Sequence, residues 1–98
     1  MSVSILFRPR SFSIKQYDEA VKRLERAGAE NPRGRTYHAC YKSGDNVNIF
    51  DVWDSSRDFE KFGQTLTPIL KDLKVDVGQP EIKEIHNIII EEKHAHAY

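Results

Sequence analysis

Apolar and polar positions along the chain change period several times, and each change marks an element. Between Val3 and Arg8, Val3, Ile5 and Phe7 alternate with Ser2, Ser4 and Leu6, which predicts a short strand ended by Pro9. From Ser13 the spacing becomes helical, with Ile14, Tyr17, Val21 and Leu24 on one face and Ala20 and Ala27 beside them. Ser11 or Ser13 can cap that helix and Gly28 can stop it. Asp18 with Lys22 and Glu19 with Arg23 set acid before base one turn apart, as on a solvated face, so a helix over Ser13–Ala27 is predicted. Asn31-Pro32-Arg33-Gly34 is turn chemistry. Two β-rich runs, Arg35 to Lys42 and Val47 to Trp53, flank Ser43-Gly44-Asp45-Asn46 and predict a hairpin. Asp54-Ser55-Ser56 offers caps to a second helix bearing Phe59, Phe62, Leu66, Ile69, Leu70 and Leu73. Pro68 lies inside that pattern and predicts a kink or break near Thr67. Lys74 to Pro80 then connects to a last strand over Glu81 to Ile90.

The resulting order, β-α-β-β-α-β, is the split βαβ or ferredoxin-like pattern of an α+β domain. It implies a four-stranded antiparallel sheet with two helices on one face. Two helices cover only one face, yet both faces of the predicted sheet are apolar. Val47, Ile49 and Trp53 share one side of their strand while Phe50 and Val52 share the other. On the last strand Ile82, Ile88 and Ile90 oppose Ile85 and Ile89. A large uncovered apolar face usually marks an interface. A homodimer with its two sheets facing each other is therefore expected.

Composition narrows the picture. Ninety-eight residues, 39% of them apolar, suit one domain over 1–98, with its core in 3–90 and a polar tail over 91–98. Fifteen basic residues balance fifteen acidic ones, which leaves no electrostatic footprint for nucleic acid or an anionic membrane. No apolar run approaches the roughly 20 residues that span a bilayer, and the start lacks the pattern of a secretory leader. The lone Cys40 cannot form an internal disulfide, so a cytoplasmic setting is expected.

Candidate chemistry comes from the hairpin. If Lys42 pairs with Val47, then His38 faces Asp51, Cys40 faces Ile49 and Thr36 faces Trp53, all on one side. An aspartate beside a histidine orients the ring and raises its basicity, as a general base requires. The same pair can also be a cross-strand polar contact that stabilises the sheet. His86, with Asn87 beside it, falls in the last strand, where it can line a cavity or be a hydrogen-bonded core residue. Trp53 is either a pocket wall or plain core. Cys40, lacking a second cysteine or a basic cluster nearby, reads as a small buried hydrophobe on the candidate pocket side. His94 and His96 alternate in the tail without an apparent third metal ligand, so no metal site is expected. Arg33 and Arg35 flank the first turn and can meet an anion or simply serve solubility. No phosphate-binding glycine loop, His-Glu-x-x-His helix or nucleophile elbow occurs.

The run Phe50-Asp51-Val52-Trp53-Asp54-Ser55, the aromatic helix ending near Pro68-Ile69-Leu70 and the closing Ile85-His86-Asn87 resemble small bacterial proteins of the dimeric α/β-barrel superfamily. Within it they are similar to the antibiotic biosynthesis monooxygenase type of domain, over roughly residues 3 to 90. That superfamily includes cofactor-free oxygenases of aromatic polyketides, haem-degrading enzymes, muconolactone-type isomerases and proteins without a known reaction, so the resemblance implies fold more firmly than function. It implies a pocket between helices and sheet or within the dimer barrel, with Asp51, Trp53 and His86 at the motif positions. The Asn, Trp and His set associated with haem degradation has no match.

Two functions follow as expectations. One is a binding module that holds a small apolar or aromatic metabolite, contacted by Trp53, Asn87 and Cys40. The other is a cofactor-independent monooxygenase or isomerase in which His38 or His86, with Asp51, withdraws a proton from an enolisable or aromatic substrate. No cofactor is expected in either case.

Overall fold

The computed structural model describes residues 1–91. Its elements are β1 (Val3–Phe7), α1 (Ile14–Arg26), β2 (Arg35–Ser43), β3 (Asn46–Trp53), α2 (Ser56–Asp72) and β4 (Glu81–Glu84). All strand pairs are antiparallel, in the order β2-β3-β1-β4, which is the ferredoxin-like sheet expected from the element order. Among the described residues, no helix is long and apolar enough to cross a membrane.

The first helix forms as its periodicity predicts. Ser13 is the N-cap, and its hydroxyl accepts from the Gln16 amide while the Gln16 side chain accepts from the Ser13 amide. Ala20 and Leu24 are the buried positions, packed in one core with Val3, Ile5, Phe7, Phe12, Ile49, Trp53 and Phe62. Asn46 ties the start of β3 to the segment before α1. Its side-chain oxygen accepts from the Phe12 amide, and its amide group donates to the Arg10 carbonyl. The second helix starts at the Ser55 cap, whose hydroxyl accepts from the Asp58 amide.

Three expectations need correction. Of the kink or break expected near Thr67, the break does not occur: the second helix runs through Pro68 as one element. A proline removes the bond to the carbonyl four residues back, and both Pro68 and Gln64 lie on the exposed side, where water can satisfy that carbonyl. The last strand ends at Glu84, not Ile90. It pairs with β1 from Leu6 opposite Glu81 to Val3 opposite Glu84, and one further bond joins the Ile85 amide to the Ser2 carbonyl. Beyond that point the neighbouring strand has run out, so Ile88, Ile89 and Ile90 have no ladder to join and stand exposed.

The third correction lies in the hairpin. The expected register holds from Lys42 opposite Val47 through Cys40 opposite Ile49 and His38 opposite Asp51 to Tyr37 opposite Val52. There a bulge intervenes, and Arg35 rather than Thr36 sits opposite Trp53. Thr36 is turned out to solvent, its hydroxyl donating to the Val52 carbonyl. Of the tail over 91–98, only Glu91 is described; His94 and His96 lie outside the described residues.

Candidate functional site

A cavity of about 180 Å³ lies between the helices and the covered face of the sheet. Its wall is mostly apolar, built from Phe7, Phe12, Ala20, Val21, Leu24 and Ile49 together with Phe59, Phe62, Leu66 and Leu70 of α2. Five polar side chains interrupt it: Tyr17, Glu30, Arg35, His38 and Asp51. A few convergent polar groups in an apolar concavity is the usual build of a small-molecule site.

Three of those groups form a hydrogen-bonded chain. Asp51 is 5% exposed, the one buried charged residue among those described. One of its carboxylate oxygens lies 2.5 Å from His38 Nδ1, and the other accepts from the Trp53 indole N–H at 3.3 Å. On the far side of the imidazole, Nε2 lies 2.7 Å from the Tyr17 hydroxyl. A carboxylate can only accept, so the chain has a direction. Nδ1–H donates to Asp51, and in the neutral ring that leaves Nε2 as the acceptor for the Tyr17 O–H. Burial pushes the Tyr17 phenol up from 10.0 to about 12, so it holds its proton and remains a donor at neutral pH. Tyr17 and His38 also stack, with ring planes 8° apart. No buried side-chain nitrogen or oxygen among the described residues lacks a partner.

Local sequence explains the positions. His38 and Asp51 share a face because the hairpin register pairs them directly. Tyr17 reaches them because its helical position puts it on the apolar face of α1. A buried tyrosine needs a partner for its hydroxyl, and a histidine on the strand below was the signal by which the sequence could have exposed this contact. Arg35 enters through the bulge. Its guanidinium lies 5.8 Å from the centre of the Phe62 ring and donates to the Glu30 carbonyl at 2.9 Å. Gly34, just before it, adopts φ +89°, and a Cβ there would collide with the Asp58 side chain. The turn that launches β2 therefore requires glycine.

The structure brings only some of the sequence candidates together. His38 and Asp51 meet in the cavity wall. Trp53 is fully buried behind the wall, where its indole N–H holds Asp51 and its ring packs against Phe59 and Phe62. Cys40 is half-buried beside the core, and burial pushes its thiol up, with the Asp18 charge acting in the same direction. His86 and Asn87 lie past the end of β4, exposed and outside the cavity wall. The sequence marks Tyr17 and the α2 aromatics only as positions on the apolar faces of their helices, not as site residues. Among the described residues, no three His, Cys, Asp or Glu side chains are grouped to hold a metal ion.

No protein-family model matches the chain, and no curated protein matches it. Solved structures match in fold. A structural-genomics protein, YJCS, superposes with a TM-score of 0.63 at 11% identity, over 88% of this chain and 100% of its own. SnoaB, a cofactor-independent oxygenase from Streptomyces nogalater, gives a TM-score of 0.58 at 14% identity, over 92% of this chain and 96% of its own. A candidate antibiotic biosynthesis monooxygenase from Deinococcus radiodurans gives 0.59 at 13% identity, over 95% of this chain and all of its own. The chain thus shares its ferredoxin-like fold with these structures, one of them a candidate antibiotic biosynthesis monooxygenase, the type of domain the sequence resembles. At such identities the likeness speaks for the fold alone.

Proposed function

We propose that the chain binds a small apolar or aromatic metabolite in the helix–sheet cavity, oriented by the polar chain of Tyr17, His38 and Asp51. The observation that carries this reading is an apolar cavity whose wall contains a hydrogen-bonded carboxylate–imidazole–phenol chain anchored on the buried Asp51. A dry cavity of roughly 150 Å³ is enough to hold benzene. A volume of about 180 Å³ accordingly suits one substituted ring. The test is calorimetric titration with phenol and related single-ring compounds, repeated on Ala20→Phe, which fills the cavity. Binding to the wild type that Ala20→Phe abolishes supports the reading; equal binding to both removes it.

The direction of the hydrogen bonds favours a second reading, cofactor-independent monooxygenation or isomerisation of an enolisable substrate. An acidic proton of the ligand passes to the Tyr17 oxygen as the Tyr17 proton moves to His38 Nε2, and Asp51 stabilises the imidazolium that results. His38→Gln then abolishes exchange of that proton with solvent while ligand binding persists. Exchange at an unchanged rate excludes His38 as the base.

The same reading includes a homodimer. Tyr37 and Tyr41 are 56% and 45% exposed on the sheet face that the helices leave open, and Phe50 packs edge-on against Tyr37. A second copy laid on that face would bury them. Native mass spectrometry reads the outcome directly.

A further inference from the structure

We propose that the cavity selects an anionic single-ring aromatic, whose ring lies against the aromatic wall and whose carboxylate pairs with Arg35 at the rim. This inference rests on the reading of the cavity as a ligand site and adds the charge and size of the occupant.

Three observations carry it. The first is the placement of Arg35. Strict alternation from His38 would put Thr36 on the cavity side and Arg35 on the opposite face. The bulge reverses the two, so Arg35 lines the cavity and Thr36 faces solvent. Bulges commonly re-aim a side chain in this way beside functional sites. The second is that Arg35 lacks a counter-charge. Arg23 and Arg26 engage Glu19, and Arg23 also engages Asp72, whereas among the described residues no carboxylate lies within ion-pairing distance of Arg35. Among the described residues its guanidinium makes one hydrogen bond, to the Glu30 carbonyl, and a guanidinium has four further N–H donors in a planar fork matched to a carboxylate. The third is the set of acids nearby. Both oxygens of Asp51 are taken by His38 and Trp53, so Asp51 does not satisfy Arg35. Glu30 stands exposed at the rim, where solvent screens its charge.

The geometry then assigns the parts. Phe59 and Phe62 supply ring surface, and Arg35, stacked over Phe62, stands where a substituent of the bound ring leaves the apolar wall. The volume of about 180 Å³ admits one ring and excludes a linear three-ring system.

The experiment compares benzoate with benzamide, which share ring and size but differ in charge, by calorimetry on the full chain. Benzoate is expected to bind at least tenfold tighter than benzamide, and the preference should shrink as salt rises. Arg35→Gln should bring the ratio close to one, and anthracene-2-carboxylate should not bind. A wild-type ratio near one overturns the inference without any variant having to fold, and so does a tenfold preference that persists in Arg35→Gln. Tight binding of the three-ring acid overturns the size assignment. Binding of benzamide without preference for benzoate removes this inference but leaves the cavity as a ligand site. If neither compound binds, both fall.

Discussion

The two faces of the sheet invert the usual expectation of where charge belongs. The covered face, under α1 and α2, holds Asp51 and His38 among Val47, Ile49 and Trp53. The open face carries Tyr37, Ala39, Tyr41, Phe50 and Val52, none of them fully buried. A charge is thus inside and aromatic rings are outside. Partnership resolves the inversion. Asp51 is tolerated in the interior because two donors occupy its oxygens, and its burial makes each of those bonds stronger than it would be in water. The open-face aromatics have cover from each other only, as in the Tyr37–Phe50 pair, and nothing within the described chain lies over them. The covered face is packed apart from a cavity of about 180 Å³; the open face leaves Tyr37 and Tyr41 exposed.

Breaking the covered face should cost most. Trp53→Ala removes a fully buried ring and the donor to Asp51, and is expected to lower unfolding free energy by about 4 kcal/mol in urea titrations. Asp51→Ala should follow at about 3 kcal/mol, because it strands the His38 and Trp53 N–H groups in a buried site. On the open face, Phe50→Ser is expected to change the stability of the separated monomer by less than about 1 kcal/mol while shifting the population from dimer to monomer in native mass spectra. A Phe50→Ser loss as large as that of Trp53→Ala would erase the distinction between the faces.

A modest effect is the sharpest probe of the polar chain. Tyr17→Phe should cost about 1 kcal/mol at neutral pH. Burial raises the Tyr17 phenol from 10.0 to about 12, so the folded form holds that proton more tightly than the unfolded chain. Its contribution is complete below pH 10.0 and declines as pH rises through the interval up to about 12. Wild type and Tyr17→Phe should therefore differ in the slope of their alkaline stability profiles over that interval, and a phenolate absorbance titration should show one late-ionising tyrosine missing from the variant.

Much of this was legible in the residues. A single assumption, Lys42 opposite Val47, placed His38 against Asp51, because side chains in a strand have a period of two and the Gly44 turn fixed the phase. Caps and periodicity located α1 to within a residue at either end. What escaped notice had no periodic signature. The bulge adds one residue in a stretch where both neighbours, Arg35 and Thr36, are polar, so no apolar position changes face to reveal it. The end of β4 is decided by the length of β1, a strand distant in sequence, and the Ile88-Ile89-Ile90 run by itself reads as strand. With β4 ended at Glu84, His86 never reaches the wall where its spacing seemed to direct it. The cavity arises from imperfect filling between layers, which is a property of packed volumes and leaves no mark on the spacing of residue types.

The bulge at Thr36 also divides one strand into two parts that can evolve separately. His38 and Cys40 are held opposite Asp51 and Ile49 by the register that follows the bulge. The rim obeys a different phase, and whether position 35 or position 36 looks inward depends on the presence of one extra residue. The length of a short segment after Gly34 therefore decides which side chain, Arg35 or Thr36, faces the cavity, and under the proposed role of Arg35 it would set the ligand's charge with the floor left as it is.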